Sequence, residues 1–257
     1  MTNNILTTLS FISLALSILY FTETESERSS SGPPQVTIDL LKKQTLPERS
    51  THLDERRLPI DILLLTVEDC EFLSCVSYLN TGFCRNFHRD LGYLYLGDIG
   101  EDEMKLNISV MNCCKGSASP GGSVVAVLNA VKVLRPKEVF CVGSCSGLDY
   151  KANLGDVVVS EMLITCGPCN VTEGGIEERG VRVPLKSGLS KVIRRASDGW
   201  KPPLKDPKAL EVKMHHGTFV SGPEVINNRT LCKALIERFP EAVALEGEGE
   251  GEVLSLI

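Results

Sequence analysis

Apolar runs alternate with amphipathic stretches along most of this chain. The run IDILLLTV (60–67) is almost entirely apolar, which is typical of a strand buried on both faces of a sheet. The next stretch, EDCEFLSCVSYLN (68–80), places apolar residues such as Phe72 and Val76 on one side of a helix. The pattern therefore predicts a buried strand followed by an amphipathic helix.

The same alternation continues to residue 246. Further strands are predicted at 92–100, 106–112, 138–144, 155–164, 212–222 and 242–246. Further helices are predicted within 117–134, 185–200 and 228–240. Strands that alternate with helices favour an α/β domain with a largely parallel or mixed central sheet.

The first 58 residues have a different texture. Residues 5–21 carry no charge, which suits either a signal-peptide core or a short membrane anchor, although no Lys or Arg precedes them. Residues 23–58 are polar and rich in Ser and Pro, so we expect a linker with one short helix near 36–44. These patterns predict a hydrophobic leader (1–22), a polar linker (23–58) and one domain (59–257).

Composition narrows the possible partners. The net charge is −6 and the chain has no block of Lys or Arg, which argues against a nucleic-acid partner. Most of the ten cysteines lie in apolar runs and are expected to be reduced, buried thiols. Cys166 and Cys169 form a CxxC without a second CxxC or a His pair, so a zinc site is not expected. Reduced thiols are favoured for this pair, and a redox-active pair is the alternative.

Ligands of α/β sheets bind at the carboxyl ends of the strands, so the residues that follow each strand are the candidates for chemistry. Glu71 follows the first strand, GSCSGL (143–148) follows the strand at 138, and SGPEVI (221–226) follows the strand at 212. EGEGEG (246–251) follows the strand at 242. Several strand ends thus supply carboxylates or turns of small residues.

Each feature also has a plain structural interpretation. Glu71 would suit the first turn of a helix, where acidic side chains favour the helix dipole. The segment 143–148 would suit a tight turn, and 246–252 would suit a polar low-complexity segment. His215 and His216 lie in the middle of a predicted strand, and we expect structural roles for both.

Three blocks of sequence decide between these interpretations. They are DILLLTVEDCEF (61–72), VGSCSGLDYKANLGDVVVSEML (142–163) and SGPEVINNRTLCKALIERFPEAVALEGEGEG (221–251). Together they resemble the nucleoside phosphorylase superfamily, and within it the methylthioadenosine/S-adenosylhomocysteine nucleosidases, over roughly 60–257. The resemblance implies a three-layer α/β fold with a central mixed sheet flanked by helices. It also implies a homo-oligomer that uses no metal or other cofactor.

The resemblance assigns roles to individual residues. Glu71 matches the glutamate that activates the attacking water, and Ser144 matches the residue beside the ribose and the nucleophile. Glu248 matches the glutamate that binds the ribose hydroxyls, with Glu246 two residues before it. The residues that match positions near the purine are Cys145, Ser146, Val225 and Ile226.

Two departures from the family pattern stand out. Gly247 replaces the usual Met, which enlarges the sugar pocket. The sequence stops at Ile257, before the Ser-Asp motif whose Asp protonates the departing purine. The last strand and closing helix are therefore expected to be missing, as in a fragment of a longer protein or a degraded paralogue.

The implied reaction is cleavage of the N-glycosidic bond of a purine nucleoside of the methylthioadenosine or adenosylhomocysteine type. Water is favoured over phosphate as nucleophile, because Glu68, Asp69 and Glu71 follow the first strand without an evident cation, and Cys141 replaces an Arg of bacterial-type phosphorylases. A nucleoside phosphorylase, a non-catalytic nucleoside-binding paralogue and a membrane-tethered interaction protein remain open. A cytoplasmic location is expected unless residues 5–21 direct the chain to a membrane or the secretory route.

Overall fold

The structure is a computed structural model, and it describes residues 35–116, 120–148, 151–153, 155–165, 169–172, 175–178, 181–195, 197–222 and 229–246. The α-helices in this part are Asp69–Ser77 (α1), Ser123–Leu134 (α2), Ser187–Ile193 (α3) and Arg229–Arg238 (α4). The first strands are Ser50–His52 (β1), Ile62–Thr66 (β2), Cys84–His88 (β3), Gly92–Ile99 (β4), Leu106–Asn112 (β5), Glu138–Cys141 (β6) and Ser146–Gly147 (β7). The later strands are Val157–Thr165 (β8), Cys169–Thr172 (β9), Gly175–Glu178 (β10), Arg182–Pro184 (β11), Met214–Ser221 (β12) and Ala242–Glu246 (β13).

The first sheet has six strands in the order β1-β3-β4-β5-β2-β6, and β2 lies between the parallel strands β5 and β6. Alternate β2 residues face opposite sides, as the period of a strand requires. Leu64 packs in a cluster with Phe72 of α1, whereas Leu63 packs in a cluster with Val127 of α2. The helices α1 and α2 therefore cover opposite faces, which explains why the predicted strand at 60–67 is apolar throughout.

The second sheet has the order β11-β8-β12-β13-β7, in which β8, β12 and β13 run parallel. Leu235 of α4 and Phe239 just beyond its end pack on Val220 and Leu245 of this sheet. Phe140 of β6 contacts the core clusters associated with both sheets. The expected mixed α/β architecture is confirmed, with the sheet divided into two hydrogen-bonded parts and a separate β9/β10 ribbon.

The segment before residue 59 differs from the expected linker. β1 adds a parallel strand to β3, and Leu41 packs against the α1 side of the sheet. The backbone N–H of Leu41 donates to Ser77 Oγ at 2.8 Å, which favours an extended segment where a short helix was predicted; only Lys43–Thr45 forms a 3₁₀ turn. This segment is polar in composition, yet some of its apolar residues pack against the core. The domain boundaries stay a prediction.

The residues of the predicted leader lie outside the described part of the chain, as do Val225, Ile226, Gly247, Glu248 and Ile257. Among the residues that are described, no helix is both long enough and apolar enough to cross a membrane.

Candidate functional site

Glu71 lies where β2 passes into α1, and its carboxylate is buried, with the residue only 4% exposed. Its Oε2 accepts backbone N–H groups from Val67 (3.0 Å) and Glu68 (2.9 Å). The bond from Glu68 is half of a capping box, in which the third helical residue satisfies the N–H of the residue before the helix. The sequence therefore places a carboxylate at this strand end for a local structural reason.

The glycine turn after β6 reaches the same carboxylate. Val142 continues the β6 pairing by donating its N–H to Leu65 O at 2.8 Å, and Ser144 N–H donates to Glu71 Oε1 at 3.1 Å. A Cβ atom built on Gly143 would lie 3.3 Å from Glu71 Oε1. The turn therefore contacts the Glu71 carboxylate at Oε1, whereas the N–H groups before α1 contact it at Oε2. Gly143 and Ser144 of the turn are exposed.

The same turn ends beside Glu246. β7 pairs antiparallel with β13, and the register sets Ser146 opposite Leu245, so Cys145 comes opposite Glu246. Surrounding protein atoms desolvate the thiol and Glu246 adds a nearby negative charge; together they raise the pKa of Cys145 to about 12, although part of the residue stays accessible. The thiol is therefore protonated at neutral pH and is a poor nucleophile.

Five of the residues predicted from the sequence thus lie in one continuous turn or beside its two ends. Its first end touches Glu71, and its last end pairs with the strand that carries Glu246. The members of this set are Glu71, Ser144, Cys145, Ser146 and Glu246. The other predicted site residues, Val225, Ile226 and Glu248, lie outside the described residues, so the set remains a candidate site.

Two polar residues were not assigned to the site from the sequence, although Ser221 begins the segment SGPEVI. Ser221 of β12 is paired in register with Thr165 of β8 on one side and with Glu246 of β13 on the other. The three therefore form a polar row across the carboxyl ends of three parallel strands, on the face turned away from Leu245 and α4. Both Thr165 and Ser221 are buried, and no sequence motif reveals this alignment because the register of non-adjacent strands is not written locally.

One premise of the sequence analysis needs correction. The acidic segment after β2 does have matched cations: Lys115 Nζ lies 3.3 Å from Glu68 Oε1, and Lys43 Nζ lies 2.8 Å from Asp69 Oδ2. Lys115 follows β5, whose parallel pairing with β2 brings the two carboxyl ends together. The charge at this edge of the sheet is therefore mixed, and it no longer argues against an anionic ligand.

The two histidines lie at the other end of β12, near its first residue. His215 Nε2 is 2.8 Å from Asp156 Oδ2, a carboxylate that also accepts the backbone N–H groups of Asn153 and Lys213. Burial lowers the pKa of His216, and the nearby positive charge of Arg194 acts in the same direction, whereas Glu161 opposes it. In the described ranges, no group of three or more His, Cys, Asp or Glu side chains is arranged to hold a metal ion.

Comparison with solved structures identifies the fold as that of the nucleoside phosphorylase-like nucleosidases. A 5′-methylthioadenosine/S-adenosylhomocysteine nucleosidase from Colwellia psychrerythraea, solved with adenine, matches with a TM-score of 0.59 at 16% identity and covers 77% of this chain and 76% of its own. The corresponding enzyme of Neisseria meningitidis, solved with methylthio-immucillin-A, gives 0.56 at 16% identity, covering 72% and 74%. A futalosine hydrolase mutant of Helicobacter pylori gives 0.56 at 16% identity, covering 75% and 80%.

A curated relative is similar in sequence as well. The Death domain-containing ATP nucleosidase of Amphimedon queenslandica is 28% identical over an alignment of 177 positions, and the match covers 63% of this chain. The match spans 33% of that relative, about a third of its length. No family model matches the chain. The resemblance to nucleosidases is therefore confirmed for the fold.

Proposed function

We propose that this chain is a nucleosidase that cleaves the N-glycosidic bond of a purine nucleoside with water. The observation that carries the proposal is the buried Glu71 carboxylate, which the backbone N–H of Ser144 holds at 3.1 Å in a turn that ends beside Glu246. Two carboxylates on either side of an exposed turn suit a reaction in which one activates water and the other stabilises the sugar.

The chemistry explains why carboxylates are needed. Departure of the purine develops positive charge on the ribose ring, which a fixed negative charge nearby stabilises. Water attacks the anomeric carbon as the carbon–nitrogen bond breaks, and Glu71 takes the proton of that water. By resemblance, Glu248 would bind the ribose hydroxyls, with Glu246 and the turn residues Cys145 and Ser146 beside the nucleoside and Val225 and Ile226 against its base.

The choice of water over phosphate rests on Glu71 rather than on net charge. A carboxylate can take a proton from water, whereas phosphate at this position would meet the negative charge of Glu71 directly. Lys115 and Lys43 lie farther out, each paired with an acidic residue of its own. Phosphorolysis is therefore the alternative that the assay below must exclude.

The substrate's 5′ substituent is a separate question. The solved relatives favour methylthioadenosine or adenosylhomocysteine, whereas the curated relative favours ATP. The exposed Lys115 at the rim of the candidate site is compatible with a phosphorylated substrate. We propose a purine nucleoside as the common substrate and include ATP in the substrate panel for this reason.

The test is release of adenine from methylthioadenosine, adenosylhomocysteine and ATP, each with and without phosphate. We expect adenine together with the free sugar product when phosphate is absent. If adenine appears only when phosphate is present, the nucleophile is phosphate and not water. Binding of a nucleoside without any adenine would favour the non-catalytic alternative.

The first variant to measure is Glu71→Gln, which keeps the size of the side chain and removes its basicity. Loss of a general base lowers kcat on the order of 10²–10⁴-fold. The same change weakens the helix cap and costs about 1 kcal/mol of unfolding free energy, so thermal unfolding is measured in parallel. Glu103→Gln, at an exposed position in a 3₁₀ turn, is the matched control. A Glu71→Gln variant with reduced stability but unchanged kcat would assign Glu71 to helix capping alone.

The remaining expectations from the sequence stay proposals. We propose a homo-oligomer on resemblance, a catalytic domain that spans 59–257 on resemblance and on the change of sequence pattern near residue 59, and a cytoplasmic location, with membrane anchoring or secretion through residues 5–21 as the alternative. Sedimentation equilibrium would test the first. A fluorescent fusion of residues 1–30 would test the location, because a membrane-bound signal would assign the leader to targeting.

A further inference from the structure

We propose that Ser221 is a positioning residue, whose buried hydroxyl donates a hydrogen bond to the Glu246 carboxylate and holds it toward the sugar of the bound nucleoside. This inference rests on the proposed function, in which Glu246 lies beside the nucleoside. It goes further because it names the group that fixes Glu246, a residue of a strand outside the glycine turn.

Strand register places Ser221 next to Glu246. The two residues are paired on the parallel strands β12 and β13, and Ser221 is also paired with Thr165 of β8. Neighbouring strands lie about 4.8 Å apart, and paired residues send their side chains to the same face of the sheet. At that separation a serine hydroxyl and the longer side chain of a glutamate can meet. The backbone supports the same arrangement, because Gly222 N–H donates to Glu246 O at 3.2 Å.

A buried hydroxyl needs a hydrogen-bond acceptor, and Glu246 is the stronger of the two that flank Ser221. Ser221 is 0% exposed, so bulk water does not supply that acceptor. Thr165 Oγ1 already accepts the backbone N–H of Val181 at 2.8 Å. A hydrogen bond to a carboxylate is roughly twice as strong as one between neutral groups. The Ser221 hydroxyl is therefore directed to Glu246 rather than to Thr165.

Cys145 flanks Glu246 on the side away from Ser221. It comes opposite Glu246 in the register of β7 with β13. Desolvation and, as a smaller cause, the negative charge of Glu246 raise the pKa of Cys145 to about 12, which is consistent with a carboxylate close to the thiol. Glu246 thus lies between a neutral thiol and a neutral hydroxyl, and neither cancels its charge. That charge stays available for the positive charge that develops on the ribose.

The effect of Ser221 is on the direction of the carboxylate. Glu246 is half-buried, and a glutamate side chain without a partner samples several rotamers. A hydrogen bond from a rigid strand residue favours one of them. A carboxylate that is already in place stabilises the transition state without a cost of reorganisation. Ser221 therefore acts on kcat through Glu246 and touches no reacting atom.

The experiment is a double-mutant cycle of Ser221→Ala with Glu246→Ala, in which adenine release is measured with the fastest substrate of the panel. In the wild-type background, Ser221→Ala should lower kcat about 10-fold with little change of KM, which corresponds to the loss of one hydrogen bond to a charged group. In the Glu246→Ala background, the same change should alter kcat by less than about twofold, because the carboxylate that Ser221 positions is gone.

Ser109→Ala is the matched control, since it removes the same hydroxyl from a strand position that is also 0% exposed. Ser109 lies on β5 of the first sheet, and its Oγ has no hydrogen-bond partner among the described residues. This control should leave kcat unchanged. Ser221→Thr keeps the hydroxyl and should retain more of kcat than Ser221→Ala, whereas a purely steric role at this buried position would make the larger Thr the worse of the two.

Two results would overturn the inference: an equal loss of kcat in both backgrounds, or a Thr variant less active than the Ala variant. Ser221→Cys replaces Ser221→Ala in the cycle if the latter does not fold, because a thiol is similar in size and donates only weakly. Its loss of kcat should likewise vanish in the Glu246→Ala background. If the wild-type chain releases adenine but fails these tests, only the inference fails. If it releases no adenine from any substrate, both the proposed function and the inference fail.

Discussion

Replacement of Asp156 by Ala tests how this residue, just before β8, is connected to β12. The side chain of Asp156 is 1% exposed and accepts three hydrogen bonds of 2.8 Å, from Asn153 N–H, Lys213 N–H and His215 Nε2. Burial opposes ionisation of this carboxyl, but the two backbone donors and His215 outweigh it, so its pKa is lowered. The carboxylate is therefore charged at neutral pH, and both of its oxygens accept hydrogen bonds.

The expected cost follows from these contacts. Hydrogen bonds to a charged group contribute about 1.5–3 kcal/mol each when their partners are dry. Asn153 and Lys213 are exposed residues whose N–H groups water can reach once the carboxylate is gone, so we assign about 1 kcal/mol to each bond. Asp156→Ala should lower the free energy of unfolding by about 3 kcal/mol, measured by urea unfolding at pH 7.

The dependence on pH has a definite sign. A folded-state pKa below the unfolded value of about 3.9 stabilises the fold above that pH and loses this contribution as the pH falls through the folded pKa. The stability difference between wild type and Asp156→Ala should therefore narrow in acid below about pH 4. His215→Ala should cost less at pH 7, because the two backbone donors remain on Asp156.

As a control, the exposed Asp198→Ala should change stability by less than about 0.5 kcal/mol. An Asp156→Ala cost as small as that of Asp198→Ala, or a difference that widens in acid, would refute the reasoning.

Two further predictions concern packing and titration. Gly217→Ala would bring a Cβ into steric conflict with Val243 Cγ2, so we expect it to destabilise the β12–β13 pair by about 1–3 kcal/mol, and the additional change Val243→Ala should recover part of this loss in thermal unfolding. Burial raises the pKa of Tyr78 to about 12, so an absorbance titration of the phenols should contain a late phase that Tyr78→Phe removes; an identical titration for the two chains would contradict that burial.

The alternation of apolar and amphipathic stretches predicted most strands and helices of the core, because a strand covered on both faces leaves a local trace. The run at 60–67 is an example, since α1 and α2 cover its two sides. β1 and β3 leave no such trace. All three residues of β1 are exposed in the structure, and the strand is defined by its pairing with β3. The same limit hid Thr165 and Ser221, whose alignment with Glu246 depends on sheet register.

Motif spacing was informative for the first half of the candidate site. Glu71 and Ser144 follow two neighbouring parallel strands, β2 and β6, so their meeting could be anticipated from the order of the elements. The ion pairs of Lys43 and Lys115 could not be anticipated, because they join segments 26 and 47 residues apart across loops. The charged residues that follow a strand in the sequence therefore do not show by themselves which ligand charge the site favours, because loops can bring in residues of the opposite charge.

The pairing of β7 with β13 sets an order on how the candidate site can form. Glu71 and Ser144 lie 73 residues apart, Glu71 in the helix that follows β2 and Ser144 in the turn that follows β6 of the same sheet. Glu246 joins them only when β13, the last described strand, pairs with a two-residue strand almost a hundred positions earlier in the chain. Contacts of such long sequence separation close slowly, and the first part of a chain emerges earlier during synthesis. A ribosome-bound chain would accordingly hold the Glu71 half of the site assembled for some time before the Glu246 half can close on it.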